Sequence, residues 1–470
     1  MGNRNYARPY NNTHIKSKII YTLKKRLVIL GAGESGTGAA ILGVQKDYDV
    51  FVSDAGAIKE KYIDELKQYD IIFEQNIHTE AQILNADLVV KSPGIPEKAE
   101  IIKKLRALNI PIISEIEFAG KYTDAYTICI TGTDGKTTTT SIIYDIMMRA
   151  EMNVGLGGNI GKSFARQVAL EKYDYYVLEI SSFQLDGMYD FKANIAILTN
   201  ISPDHLDRYN YELDNYISSK FRILQNQTET DYFIYCADNK LTVDNMAKHP
   251  TKAKLLPFSF FEKCVPGAYN NNGELTVEIN PLNNQIFIMN LSELSLKGRH
   301  NAYNSMAAAV VGDVLEIRKG FIRDSLSQIV NIEHRLEDCG KVGGIEFVND
   351  SKATTVNAVW YALESMQTPV VWIAGGVDKG NDYNQLKQLV KDKVKIIVCL
   401  GLDNRKIHES FGQDVDMIVN ATSMQEAVHI AYKLASKEDT VLLSPACASF
   451  DLFEDYQDRG RQFKRAVKNL

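Results

Sequence analysis

Short apolar runs without internal period alternate with helix-like stretches along most of this chain. LVILG from Leu27, DVFVSD ending at Asp54, ADLVVKSPGI and PIISEIEFA follow one another in this way near the start. Such runs, bounded by turn residues, read as strands buried on both faces of a parallel sheet. TICITG, YYVLEISS and ANIAILTNIS repeat the pattern in a second unit that begins near Glu115. GIEFVNDS, PVVWIAGG, KIIVCLG and TVLLSPA repeat it in a third that begins near Glu333. Strands alternating with helices predict α/β domains of the doubly wound kind. Between Asn239 and Ser295 the text turns rich in Asn, Pro and β-like pieces such as ELTVEI and QIFIMNL, which predict hairpins appended to the central sheet. LKGRHNAYNSMAAAVVGDVL predicts a turn into a long helix of small residues. The expected division is 25–114, 115–331 and 332–470. Residues 1–24 are polar and basic and lack an apolar h-region, so they read as a disordered extension rather than a secretory signal.

Composition narrows the class. With 470 residues the chain is too long for one ordinary domain. The net charge of -6 gives no basic excess for nucleic acid, so an anionic ligand must be met by local groups. Six scattered cysteines with no CxxC pair fit a reducing cytosol better than zinc or a disulfide framework. No apolar run is long enough to span a bilayer.

The strongest local signal is Gly132-Thr133-Asp134-Gly135-Lys136-Thr137, followed by Thr138, placed between the strand TICIT and a helix. Glycines let backbone N–H groups crowd around phosphate oxygens, and the helix N-terminus adds partial positive charge. Lys136 suits the β- and γ-phosphates of ATP, and the Thr137 hydroxyl suits Mg2+. The loop is not a full Walker motif, because Ile130 stands at its usual first glycine. Glu179 closes a parallel strand, where it either holds Mg2+ or forms a strand-end salt bridge. His205 follows another strand, flanked by Asp204 and Asp207, as a metal ligand or a structural hydrogen-bonding residue. Lys220 lies on a helix, where a lysine is ordinarily solvated. Near the start, Gly31-Ala32-Gly33-Glu34-Ser35-Gly36 with Asp54 after the next strand resembles a dinucleotide fingerprint. NDSKATT, GGVDKG and SPACASFD each follow a strand of the third unit, so all three should fall along one edge of its sheet. Their Lys352 and Lys379, with nearby hydroxyls, suit a dicarboxylate.

GTDGKTTT, EISSFQL, NISPDHLDRY, the Lys220 segment, GRHNAYN and EHRLE, in that order, together resemble the Mur ligase family from about Lys25 to the end. NDSKAT, GGVDKG and SPACASFDLFEDYQDRGRQF are similar to its D-glutamate-adding branch, and no DNPR-type motif of the diaminopimelate- or lysine-adding branch occurs. The resemblance implies a Rossmann-like N-terminal domain, a P-loop-type central ATPase domain with a parallel sheet plus a small antiparallel piece, and a Rossmann-like C-terminal domain. It implies a cytoplasmic, monomeric enzyme whose partners are ATP, Mg2+ (two ions), UDP-N-acetylmuramoyl-L-alanine and D-glutamate, with no nucleic acid or membrane insertion. By the same resemblance, Lys136 meets the phosphates, and Thr137 and Glu179 hold one Mg2+. His205 holds a second near the reacting carboxylate, and Lys220 bridges the metals as a carbamate. Asn301 and Arg335 face the adenine and phosphate sides of ATP, and Asp350 its ribose. Ser35, Asp54 and Gly94 contact uracil, with Asn159 and His205 further along the UDP substrate. Lys352, Thr354, Lys379, Ser449, Phe450 and Tyr456 form the D-glutamate pocket. The chain departs from the family pattern at Asp134, where Asn is usual, at Ala55, where a hydroxyl residue can occur, and at Tyr456, where Phe is usual. An acid beside phosphates requires a partner of its own. A dehydrogenase built on Gly31 to Asp54 leaves GTDGKT unexplained, a folylpolyglutamate-type ligase lacks the GAGESG domain, and a P-loop kinase would release phosphate without joining anything.

Overall fold

The computed structural model describes residues 24–280, 286–329 and 333–470. The expected N-terminal extension, apart from Lys24, and the division near 331 lie outside the described residues.

Three sheets carry the chain. In the first, β1 (Arg26–Leu30), β2 (Asp49–Asp54), β3 (Ile72–Gln75), β4 (Leu88–Lys91) and β5 (Ile112–Ile113) run parallel in the order β3-β2-β1-β4-β5. Strand order reverses between β1 and β4, so the glycine turns after each open onto one crevice. The run PIISEIEFA is strand for only two residues. Ser114 then caps a helix, Glu115–Gly120, by accepting from the Glu117 N–H at 3.2 Å.

The central sheet has nine strands: β6 (Tyr126–Thr131), β7 (Val154–Gly158), β8 (Tyr175–Glu179), β9 (Ile195–Leu198), β10 (Tyr232–Cys236), β11 (Lys254–Ser259), β12 (Gly267–Asn271), β13 (Glu274–Glu278) and β14 (Phe287–Asn290). Strands β7-β8-β6-β9-β10-β11-β12 are parallel neighbours, and β12-β13-β14 form the expected antiparallel piece. The hairpin reading therefore holds for β12 to β14, whereas Lys254–Ser259 joins as a further parallel strand. Register sets Ile130 beside Glu179 and Thr131 beside Leu198. The ends of β8, β6 and β9 are thus adjacent, which brings Glu179, the phosphate loop and the segment carrying His205 to one place.

The third sheet contains β15 (Glu337–Val342), β16 (Ile345–Asn349), β17 (Val370–Ala374), β18 (Val394–Leu400), β19 (Met417–Ala421) and β20 (Thr440–Leu443), ordered β15-β16-β20-β17-β18-β19, with β15 antiparallel. The three polar loops follow β16, β20 and β17, which are neighbours, so they share one edge as their positions after strands predict. The edge strands β3, β15 and β19 were not legible as apolar runs because each is covered by only one neighbour and keeps polar, half-exposed positions.

One apolar core passes from Leu27 and Ile29 in β1 through Phe118 and Phe164 to Leu198 and Phe233 in the central sheet. The C-terminal sheet instead has its own clusters, around Trp372 and Phe411 on one face and Phe347 and Phe463 on the other.

Candidate active site

A cavity of about 450 Å³ lies between the phosphate loop and the C-terminal sheet edge. Gly132 (φ 144°) and Gly135 (φ 81°) shape its floor. A Cβ at Gly132 would stand 1.9 Å from Thr199 Oγ1, and one at Gly135 would stand 2.4 Å from Asn304 Oδ1. The helix Lys136–Arg149 starts directly from this turn, so its free N–H groups face the cavity. Thr133 Oγ1 donates to the Ser202 carbonyl at 3.0 Å, which ties the loop to the chain after β9.

Lys136 folds back over the loop and donates to the carbonyls of Gly132 (2.9 Å) and Thr133 (2.6 Å). Burial pushes its pKa down against the pull of Glu179 and Asp134. Among the described residues no carboxylate lies within hydrogen-bonding reach of it. Glu179 is fully buried and accepts from Thr137 Oγ1 at 2.5 Å and from Asn159 Nδ2 at 2.8 Å. Burial alone would raise its pKa, but Lys352 and Lys136 overcome that and hold it at about 2. Glu179 is therefore an anion, and together with the Thr137 hydroxyl it offers the hard oxygen donors that suit Mg2+. Among the described residues no three His, Cys, Asp or Glu side chains cluster as a metal cage. A cation here needs the hydroxyl, phosphate oxygens or further groups to complete its shell.

His205 adopts the left-handed region at φ 53°, an uncommon conformation for a residue with a side chain. Lys379 Nζ donates to its Nδ1 at 3.3 Å, which leaves Nε2 facing Asp204 Oδ2, also at 3.3 Å. Burial dominates and lowers its pKa to about 4, Asp204 opposing and Lys379, Lys136 and Lys220 reinforcing. The ring is neutral at pH 7 and able to bind metal through a nitrogen lone pair once Lys379 turns away.

Lys220 corrects the solvated reading that its helix alone suggests. Only 2% exposed on Leu213–Phe221, it reaches Thr131 Oγ1 at 3.4 Å, behind the phosphate loop. Burial, then the positive charge of Lys136, drives its pKa well below the usual lysine range. Among the described residues no carboxylate is in hydrogen-bonding contact with it, and a buried amine of depressed pKa has the free electron pair that nucleophilic addition requires.

The far wall comes from the third sheet and its flanking helices. Asp350 accepts from Leu336 N–H (3.3 Å) and Ser444 Oγ (2.9 Å), and burial raises its pKa to about 7. Arg335 lines the cavity with its Nε buried and unpartnered, and Asn301 lines it beside Asn304, which donates to it at 3.3 Å. Lys352 Nζ donates to Thr137 Oγ1 at 2.6 Å and stands 4.7 Å over the Tyr456 ring. Burial lowers its pKa to about 8. Thr354 and Tyr456 also border the cavity. Ser449 is buried and Phe450 is 72% exposed, both beyond the cavity lining. Lys379 joins the group through His205 and Asp204.

A separate cavity of about 670 Å³ occupies the crevice of the first sheet, with Asp54, Gly94 and Gly33 in its wall. Ser35 sits in the first turn of the adjoining helix Glu34–Gln45, outside that wall. Asp54 braces the glycine turn, accepting from the N–H groups of Ala32 and Gly56 at 2.8 Å each.

Several contributors escaped the sequence reading. Asn200 and Thr199 hold the phosphate loop from behind, and Arg459 is buried where it donates to the carbonyls of Ser351 and Cys447. Arg459 had a visible signal, as the arginine of its terminal helix that falls on the stripe of Phe463 and Ala466.

Similarity to known proteins agrees with this geometry. Residues 26–101 match the MurD N-terminal domain, 130–312 the Mur ligase middle domain, and 334–447 the Mur ligase, glutamate ligase domain. The UDP-N-acetylmuramoylalanine--D-glutamate ligase of Christiangramia forsetii is 56% identical over 95% of this chain and 100% of its own length. That of Bacteroides thetaiotaomicron is 55% identical with the same coverage, and that of Porphyromonas gingivalis (strain W83) is 51% identical over 95% of this chain and 99% of its own length. Among solved structures, the UDP-N-acetylmuramate-alanine ligase MurC of Thermotoga maritima shares the fold with a TM-score of 0.61 at 19% identity, covering 95% of this chain and 99% of that one. MurF of Acinetobacter baumannii does so with a TM-score of 0.60 at 13% identity, covering 95% and 92%. With three successive domain matches and more than half of its residues shared with full-length relatives, the chain belongs to the Mur ligase family.

Proposed function

We propose that this chain is the ligase that uses ATP to join D-glutamate to UDP-N-acetylmuramoyl-L-alanine in peptidoglycan precursor synthesis, working as a cytoplasmic monomer. The observation that carries the reading is the convergence of Lys136, Glu179 and Lys352 on one cavity bounded by two domains. The division at 25–114, 115–331 and 332–470 then assigns the UDP substrate, ATP and the amino acid to successive domains.

In this reading the γ-phosphoryl group passes from ATP to the substrate carboxylate, giving an acyl phosphate and ADP. The D-glutamate amine attacks the acyl carbon, a tetrahedral intermediate forms, and phosphate leaves as the amide bond closes. Lys136 leaves its two loop carbonyls to meet the β- and γ-phosphates. Lys352 and Lys379 meet the carboxylates of D-glutamate, with Thr354, Ser449, Phe450 and Tyr456 shaping the pocket, and this frees His205 Nδ1. Asn301, Arg335 and Asp350 position the nucleotide, and Ser35, Asp54, Gly94 and Asn159 the UDP substrate. Two Mg2+ ions, one held by Thr137 and Glu179 and one by His205, with carbamylated Lys220 shared between them, would neutralise charge between the phosphates and the carboxylate. The depressed pKa of Lys220 supports the carbamate: its neutral amine adds to CO2, an N–C bond forms and one proton is released. Most of the rate enhancement is positioning plus charge neutralisation, as in other phosphoryl transfers.

The test is phosphate release measured with UDP-N-acetylmuramoyl-L-alanine and a panel of D-Glu, L-Glu, L-Lys and diaminopimelate. Release that depends on both the UDP substrate and D-Glu supports the reading, and turnover without any amino acid defeats it.

A further inference from the structure

Asp134, the acid at the family's usual Asn, has its partners in the neighbouring domain. Its main chain is fixed from behind: the N–H donates to Asn200 Oδ1 (3.0 Å), and the carbonyl accepts from Thr199 Oγ1 (2.6 Å) and Asn200 Nδ2 (3.1 Å). The carboxylate is thereby aimed across the cavity, where Oδ1 accepts from Thr355 Oγ1 at 3.2 Å and Oδ2 accepts from Asn357 Nδ2 at 2.9 Å. Thr355 is also the cap of the helix Val356–Ser365, accepting from the Ala358 N–H at 3.2 Å. That helix has no acid in its own first turn, so Asp134 supplies from another domain the negative charge its N-terminus favours. The other end of the same helix is held as well, by Glu364 pairing with Arg299 of the central domain at 2.6 Å. Lys352 lies just upstream of Thr355, on the segment the contact immobilises.

We propose that Asp134 is a positioning residue, an interdomain latch that holds the Val356–Ser365 helix, and with it the Lys352 segment, in register with the phosphate loop. Because it sits in the loop that receives phosphate, the latch couples nucleotide binding to the placement of the C-terminal domain. The kinetic arm of its test rests on the ligase reading; the structural arm does not.

The decisive comparison is Asn357→Asp against the double variant Asp134→Asn with Asn357→Asp, each with the full chain. Asn357→Asp sets two carboxylates face to face. It is expected to enlarge the radius of gyration of the ligand-free protein in small-angle X-ray scattering and to lower kcat/KM about tenfold. Asp is favourable near a helix N-terminus, so this variant should melt like the wild type in circular dichroism. The double variant exchanges donor and acceptor and should recover both the compact scattering curve and most of the activity. Asn357→Ala, which removes one donor and adds no repulsion, should move both readouts in the same direction by a smaller amount. Superimposable scattering of Asn357→Asp and wild type, or a double variant no better than the single one, overturns the latch. A wild-type protein that fails to join the two substrates would instead defeat the functional reading and leave the scattering result standing.

Discussion

Lys352 and Thr137 stand 215 positions apart, yet the Nζ of one donates to the Oγ1 of the other at 2.6 Å. This contact joins the C-terminal wall of the cavity to the first turn of the helix Lys136–Arg149. Lys352→Met is expected to lower kcat/KM about 100-fold, because a charge-assisted contact is lost at the reacting centre. Thermal stability should fall as well, since Lys352 is the largest charge partner of the fully buried Glu179 and its loss leaves that carboxylate less compensated. Phosphate-release kinetics and a melting curve check the two halves.

Lys136→Ala should abolish measurable turnover, a fall of at least about 10³-fold, while leaving the fold intact. Among the described residues its side chain donates only to two loop carbonyls that water can satisfy, and the loop is otherwise held by Asn200, Thr199 and Ser202. Unchanged turnover in a folded variant would refute the phosphate-loop assignment.

Lys220→Ala should be inactive and should regain part of its activity with added short carboxylic acids, which can enter the space the side chain leaves and restore an anionic oxygen donor. The parallel measurement is carbon-13 NMR of the wild type in labelled bicarbonate, where a carbamate signal absent from Lys220→Ala is expected.

Glu115 gives the protein a pH-dependent stability separate from catalysis. It is buried between the first and central sheets, accepting from Ser163 Oγ and the Ala165 N–H at 2.6 Å each, with its second oxygen unpartnered. Burial raises its pKa from 4.5 to about 7, with Glu34 adding to the effect. The folded state therefore holds a proton that the unfolded state has released between these values, so this group's contribution to stability falls as pH rises from about 4.5 to 7. Glu115→Gln, which keeps the accepting oxygen, should flatten that dependence and raise stability at pH 8 by about 1–3 kcal/mol, read by denaturant titration at both ends of the range.

The sequence carried the central strands and the loops at their ends because both are written locally: an apolar run, then a glycine or an acid. Glu179 and the phosphate loop were legible for that reason, and strand order placed them together. Lys220 was not legible from its surroundings, since a helical lysine looks the same whether its helix faces water or the back of a phosphate loop. The edge strands β3, β15 and β19 were hidden by their mixed polarity. Asp134 could be seen as an oddity, but its partners Thr355 and Asn357 lie over 200 positions away, and nothing short of the domain arrangement pairs them. The same holds for His205, whose backbone conformation and Lys379 contact are properties of the assembled cavity.

The unbroken core from β1 to Phe233 has a mechanical meaning. Since the first sheet cannot swing without tearing apolar side chains from the central one, the two act as a gauge block of constant span. In the proposed reading the UDP substrate lies from the Asp54 crevice to the phosphate loop, and its length would be measured against that block. Grafting a relative's first sheet onto this chain would then disturb melting behaviour and substrate reach together.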